Sequence, residues 1–325
     1  MTPLTTTPLH TTPSKTTEVL EPREVPLGGL RAMTVRRTLP QRQRSLIGAW
    51  CFLDHYGPDR VDETGGMVVT PHPHIGLQTV SWLFGGHIEH RDSLGTHALV
   101  RPGELNLMTA GRGISHSEVS TDETTVLHGV QLWLALPAAY RDTEPAFTHY
   151  APPVVKGDGW DALVFLGELL GSTSPVSTYS PLVGAELILD ADAVLAPETN
   201  PTFEYGVLVD FGSVRVNGEE VKQHQLAYVA PGEPLEIEAA DLSHLLLIGG
   251  RPLGEEIVMW WNFVGRDHDE VAQAREDWMA QISDNFGTIT DSAEIFDGRF
   301  GIVTGDHQPP VPAPALPNAK LKPRA

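Results

Sequence analysis

The stretch Gly66-Met67-Val68-Val69-Thr70-Pro71-His72-Pro73-His74-Ile75-Gly76-Leu77-Gln78-Thr79-Val80-Ser81-Trp82-Leu83-Phe84-Gly85 sets two histidines one residue apart and closes on glycine. In a strand, side chains two apart share a face. His72, His74, Gln78, Val80 and Trp82 are therefore expected to point the same way, into a barrel if the sheet closes. Histidines on an inward face are costly unless hydrogen-bonded or ligated. A third imidazole follows the turn Gly111-Arg112-Gly113, in the string Ile114-Ser115-His116-Ser117-Glu118, where Glu118 shares a face with His116. Antiparallel pairing can set this pair opposite His72 and His74, giving three neutral nitrogens and one carboxylate for a divalent ion.

Around these strings, short apolar runs are punctuated by turn signals at intervals of roughly 8 to 12 residues, the spacing of a sandwich or barrel. The runs over 79–84, 96–100 and 105–108 end at Gly85-Gly86, Pro102-Gly103 and Gly111. The style repeats over 201–250: Val214 to Val216 ends at Asn217-Gly218, a hairpin signal, and Pro231-Gly232-Glu233 echoes Pro102-Gly103-Glu104. Two related β-domains in tandem follow. One helix is expected after them, because Asp267 and Glu270 form a capping-box-like start and Val271, Ala274, Trp278 and Ile282 fall on one face. The expected division is a flexible Thr/Pro-rich arm over 1–25, a metal-binding domain over 26–145, a second domain over 146–266, and a helix with a Pro-rich tail over 267–325.

Composition narrows the function classes. With 42 acidic and 22 basic residues the formal charge is −20, and no long Lys/Arg cluster interrupts it, which argues against direct contact with nucleic acid. Cys51 is the single cysteine, so neither an intrachain disulfide nor a thiolate cluster is available, in keeping with a reducing, cytoplasmic setting. The start of the chain lacks the basic and apolar regions of a secretory signal, and no apolar run is long enough to span a membrane.

The spacing from Gly66 to Gly85 is similar to the first cupin motif. Together with Ile88-Glu89-His90-Arg91-Asp92-Ser93-Leu94-Gly95, Pro102-Gly103-Glu104 and Met108-Thr109-Ala110-Gly111-Arg112-Gly113-Ile114-Ser115-His116-Ser117-Glu118, it resembles the pirin family. The match is dense in the first domain and looser through the second, including the turn Gly249-Gly250-Arg251-Pro252-Leu253-Gly254. The resemblance implies an all-β fold of two tandem cupin β-barrels, a bicupin, with the C-terminal α-helix attached. It also implies one non-haem iron(II) site on His72, His74, His116 and Glu118, although Mn, Ni, Co, Cu or Zn fits the same donors. Two positions depart from the pattern. Gln78 stands where cupins commonly carry a liganding glutamate, which leaves Glu118 as the carboxylate, and Ile75 stands where pirins often place a basic residue.

For function, the resemblance implies quercetin 2,3-dioxygenase-like oxidation of a flavonol or related enediol by dioxygen. Glu118 is then the candidate proton acceptor, and Trp82, Met108 and Arg112 are candidate substrate contacts. The other class it supports is a metal-dependent regulatory or adaptor protein that binds a transcriptional or metabolic protein partner without turnover. A monomer is expected, because two barrels already cover each other. The remaining histidines, including His55, His87, His90, His97 and His128, read as ordinary surface or core residues. Aligning Gly212 on Gly85 puts Thr199 and Pro201 where His72 and His74 stand and Tyr205 where Gln78 stands, so the second domain keeps no ligand set. His244 alone reads as structural, and one metal per chain is the expectation.

Overall fold

The computed structural model describes residues 17–27, 33–285 and 298–325. Each half of the chain builds one seven-stranded and one four-stranded antiparallel sheet. In the first half the larger sheet runs Ala146–Tyr150, Leu105–Thr109, Leu77–Gly85, Val126–Ala135, Trp50–Arg60, Thr34–Leu39 and Arg23–Pro26. The smaller runs Val68–His74, Ile114–Ser120, Ile88–Asp92 and His97–Val100. The second barrel repeats this plan, its larger sheet taking Thr17–Leu20 from the N-terminal end of the chain beside Leu226–Val229, Glu204–Phe211, Ser243–Gly250, Leu182–Leu189, Trp160–Leu166 and Val154–Gly157. The all-β bicupin architecture is thus present, and both barrels follow one plan.

Three differences from the expected boundaries have physical causes. Thr17–Leu20 and Arg23–Pro26 are strands, where the sequence reads as a flexible arm; Leu20 is fully buried, and its strand pairs with Leu226–Val229 of the second barrel. The rest of that expected arm, over 1–16, lies outside the described residues. Ala146–Tyr150 pairs with Leu105–Thr109, so the first barrel's sheet reaches past residue 145. The Pro-rich tail has no regular element but lies on the protein: Val311 N–H donates to Pro71 O at 2.8 Å, and Trp278 Nε1–H to Val311 O at 2.8 Å.

The helix spans His268–Asn285, and Glu270 N–H donates to Asp267 Oδ1 at 2.9 Å, the cap expected of Asp267. Val271, Ala274, Trp278 and Ile282 are buried against Ile75, Val258, Phe263 and Phe300, so the helix covers the end of the first barrel near Ile75. No described helix is long and apolar enough to cross a membrane.

Gly76 decides how the opening stretch is used. Its φ of +67° turns the chain between Val68–His74 and Leu77–Gly85, which consequently lie in different sheets. The face shared by His72 and His74 does not continue to Gln78, Val80 and Trp82. Val80 and Trp82 instead enter an apolar cluster that spans both barrels, with Phe165, Leu208 and Ile248 from the second. A Cβ at Gly76 would sit 2.0 Å from Val264 O. Gly76→Ala is therefore expected to cost at least about 2 kcal/mol, from left-handed backbone strain plus the clash. Urea unfolding checks this; a midpoint unchanged from wild type would mean that the turn relaxes freely.

Candidate metal centre

The four-stranded sheet of the first barrel assembles the site through its register. Ile114–Ser120 lies between Val68–His74 and Ile88–Asp92. His116 stands opposite His72 on one side, and Glu118 stands opposite His90 on the other. Pro71 and Pro73 are tolerated because Val68–His74 is an edge strand, and the register slips between His116 and Glu118. The turn before His116 needs Gly111, whose φ is +50° and whose Cβ would meet Thr143 O at 1.9 Å.

The ligand atoms of His72, His74 and His116 lie within 4.8 Å of one another. His74 Nε2 and His116 Nε2 approach to 3.1 Å. Donors bound to one ion at about 2.1 Å are about 3.0 to 3.4 Å apart, so this spacing fits a shared ion. Two of the three outward nitrogens are already committed: His72 Nδ1–H donates to Thr70 O at 2.9 Å, and His74 Nδ1–H to Asn262 O at 2.9 Å, while His116 Nδ1 has no partner. Such bonds fix the tautomer that leaves each Nε2 lone pair free for a metal. Glu118, His116 and His90 form an overlapping group, and Glu118 Oε1 accepts from Ser81 Oγ at 2.8 Å.

Burial dominates the electrostatics. It pushes the His72 imidazole down to about 4, and drives those of His74 and His116 well below their usual value, helped by the neighbouring imidazoles. Burial pushes the Glu118 carboxyl up, against the opposing influence of His90 and Ser81. Neutral imidazoles beside a carboxylate that lacks a countercharge form a site suited to a cation.

The structure distributes the other candidate residues differently. His90, read from sequence as ordinary, is buried beside His116 and Glu118 and bonds Asp92 Oδ2 at 3.3 Å. The usable signal was the alternation Ile88, His90, Asp92, all on one buried face. Trp82 is not at this centre: it stacks on Phe165 at 4.4 Å and donates to Glu186 Oε2 at 2.6 Å, across the seam between barrels. Met108 is buried in the same apolar cluster as Trp133, whose ring lies edge-on to His74 at 5.2 Å. The Arg112 side chain is about half exposed and pairs with Glu144 at 2.8 Å, while its carbonyl accepts from Arg299; it anchors the surface of its loop. Gln78 donates to Thr109 Oγ1 at 2.9 Å and lines a cavity of about 480 Å³ with Leu107, Thr148, Tyr150 and Tyr179. None of His72, His74, His116 and Glu118 lines that cavity.

In the second barrel the interior is an apolar cluster that includes Leu187, Val207, Tyr205 and Leu245. Among the described residues, no group of metal-ligating type is built from that barrel alone.

Comparison with known proteins agrees with this geometry. The family model described as Pirin matches residues 32–134, and that described as Pirin C-terminal cupin domain matches residues 184–283. The chain is 42% identical over 297 residues to a Pseudomonas aeruginosa protein named "Putative quercetin 2,3-dioxygenase PA1205", covering 91% of this chain and 89% of that one. It is 31% identical over 250 residues to human Pirin, covering 74% and 84% respectively. A crystal structure of quercetin 2,3-dioxygenase from Acinetobacter baumannii superposes with a TM-score of 0.85 at 41% identity, over 94% of this chain and 97% of that one.

Proposed function

The chain belongs to the pirin family, and on that premise we propose that it is a metal-dependent dioxygenase of the quercetinase type. Its substrates in this reading are dioxygen and a flavonol or related aromatic enediol, and its metal is iron(II) on His72, His74, His116 and Glu118. The observation that carries the reading is the convergence of His72, His74 and His116 on one point, with two of their outward nitrogens held by carbonyls.

A bound iron(II) would supply Lewis-acid polarisation of the substrate's enolate oxygen and a place for dioxygen. The chain's own residues do the rest. Three imidazoles, kept neutral by burial, present lone pairs without first losing a proton. Glu118 contributes the one negative donor and takes the substrate's hydroxyl proton, while Ser81 Oγ–H steadies its Oε1. His90, bonded to Asp92, stands beside Glu118 on the neighbouring strand. Trp133 against His74 and Phe147 against His90 keep water from the ligands.

The same burial favours a second reading, a metal-dependent regulatory or adaptor protein without turnover. The four ligands are at most 7% exposed, and the 480 Å³ cavity is lined by other residues. Oxygen uptake and loss of flavonol absorbance separate the two. The iron-loaded wild type is expected to exceed His116→Ala by more than the roughly 10–100-fold that loss of an outer hydrogen-bond partner costs. Equal rates for the two proteins across a panel of flavonols and enediols would leave the regulatory reading standing.

A further inference from the structure

A second histidine cluster lies where the two barrels face each other, and it takes residues from both. His55 on Trp50–Arg60 and His128 on Val126–Ala135 come from the first barrel. Asp210 on Glu204–Phe211, His244 on Ser243–Gly250 and Glu186 on Leu182–Leu189 come from the second. We propose that this seam holds a second divalent transition-metal ion, bound by His55 Nε2, His128 Nε2 and Asp210 Oδ1.

The geometry carries the assignment. The three donor atoms lie within 4.8 Å of one another, and the two Nε2 atoms converge on a single oxygen, at 2.8 and 2.7 Å. Donors around an ion held at about 2.1 Å stand about 3.0 to 3.4 Å apart, so the two imidazole–carboxylate distances need only a few tenths of an ångström of expansion. Two imidazoles and one carboxylate with further positions open are a donor set suited to first-row divalent ions.

The residues behind Asp210 are arranged as metal sites require. The second oxygen of Asp210 accepts from His244 Nδ1–H at 2.8 Å, His244 Nε2–H donates to Glu186 Oε1 at 2.8 Å, and Trp82 donates to the other oxygen of Glu186. This chain fixes the Asp210 carboxylate with Oδ1 directed at the two imidazoles.

Two ring nitrogens beside the cluster, neither of them a proposed donor atom, have no hydrogen-bond partner. His55 is fully buried, yet its Nδ1 has no partner, and His224 Nδ1 is also buried without one. The His224 ring lies 5.3 Å from that of His55, beside the three donors but outside the group whose ligand atoms lie within 4.8 Å of one another. His128 is the accessible member, with 15% of its side chain exposed, so an ion can reach the cluster from the edge of the seam. The expectation of one metal per chain was drawn from the second barrel's lack of a ligand set, and the proposed ion adds a site that neither barrel forms alone.

Chelator-stripped full-length protein, reloaded with cobalt(II) and measured by equilibrium dialysis with elemental analysis, tests this independently of any dioxygenase activity. Wild type is expected to bind two cobalt ions per chain. The variant His72→Gln/His116→Gln is expected to retain one, and adding His128→Gln to it removes that one. A single ion in wild type, lost entirely in His72→Gln/His116→Gln, would overturn the proposal and leave the seam a hydrogen-bonded network only. If the His128→Gln change perturbs folding by circular dichroism, the comparison of wild type with His72→Gln/His116→Gln decides alone: one retained ion supports the seam site, and none refutes it.

Discussion

Acidifying the metal-stripped protein from pH 7 to pH 4 is expected to remove several kcal/mol of its stability. Burial holds His72 at about 4, and His74 and His116 well below their ordinary 6.5, so between those limits the unfolded chain binds protons that the folded chain refuses. Stability then falls as pH falls, because its slope follows the excess of protons bound by the unfolded state. For His72 alone the shift amounts to about 3 kcal/mol by pH 4, and the other two imidazoles act in the same direction. His244 barely contributes in that window. Burial would lower it, but Asp210 and Glu186 hold it up at about 9, so its share is present below 6.5 and is lost only as pH rises through 9. Denaturant titrations of stripped protein at pH 7 and pH 5 check the sign. A flat profile would mean that the three imidazoles are solvated rather than buried neutral, whereas metal-loaded protein should resist acid until its ion is displaced.

Trp82→Ala is expected to cost about 3–5 kcal/mol while leaving the affinity for the first metal unchanged. The indole is fully buried, stacks on Phe165 and donates to Glu186, so its removal opens a cavity between the barrels and strips a hydrogen bond from a buried carboxylate. A substrate-pocket residue would behave in the opposite way, with little change in unfolding and a raised KM. Thermal unfolding and metal titration on the same variant distinguish the two. Loss of metal affinity without loss of stability would place Trp82 at the catalytic centre after all.

That prediction turns on the point where the sequence misleads. His72 with His74, and His116 with Glu118, were legible because spacing of two in a strand fixes a shared face, and the structure brings all four to one sheet. The same rule carried across Gly76 fails, since a left-handed turn moves the chain into another sheet and sends Trp82 to the seam. The helix was readable from Asp267 and its apolar face, and the repeated turn signals announced two barrels. His90 was hidden because its importance depends on which strand flanks Ile114–Ser120. His55, His128 and Asp210 were hidden more deeply: they meet through the packing of one barrel on the other, which no local period encodes.

The strand Thr17–Leu20 belongs to the second barrel's sheet, yet only two residues separate it from Arg23–Pro26 in the first barrel's sheet. Thr17 pairs with Val229 and Leu20 with Leu226, so more than two hundred residues must leave the ribosome before this strand can dock. Contacts of such sequence separation carry a large loop-closure cost and form late. During synthesis the first barrel can assemble with its leading strand undocked and the apolar Leu20 uncovered. Docking of that strand on the second barrel, once Leu226–Val229 is made, ties the two barrels together.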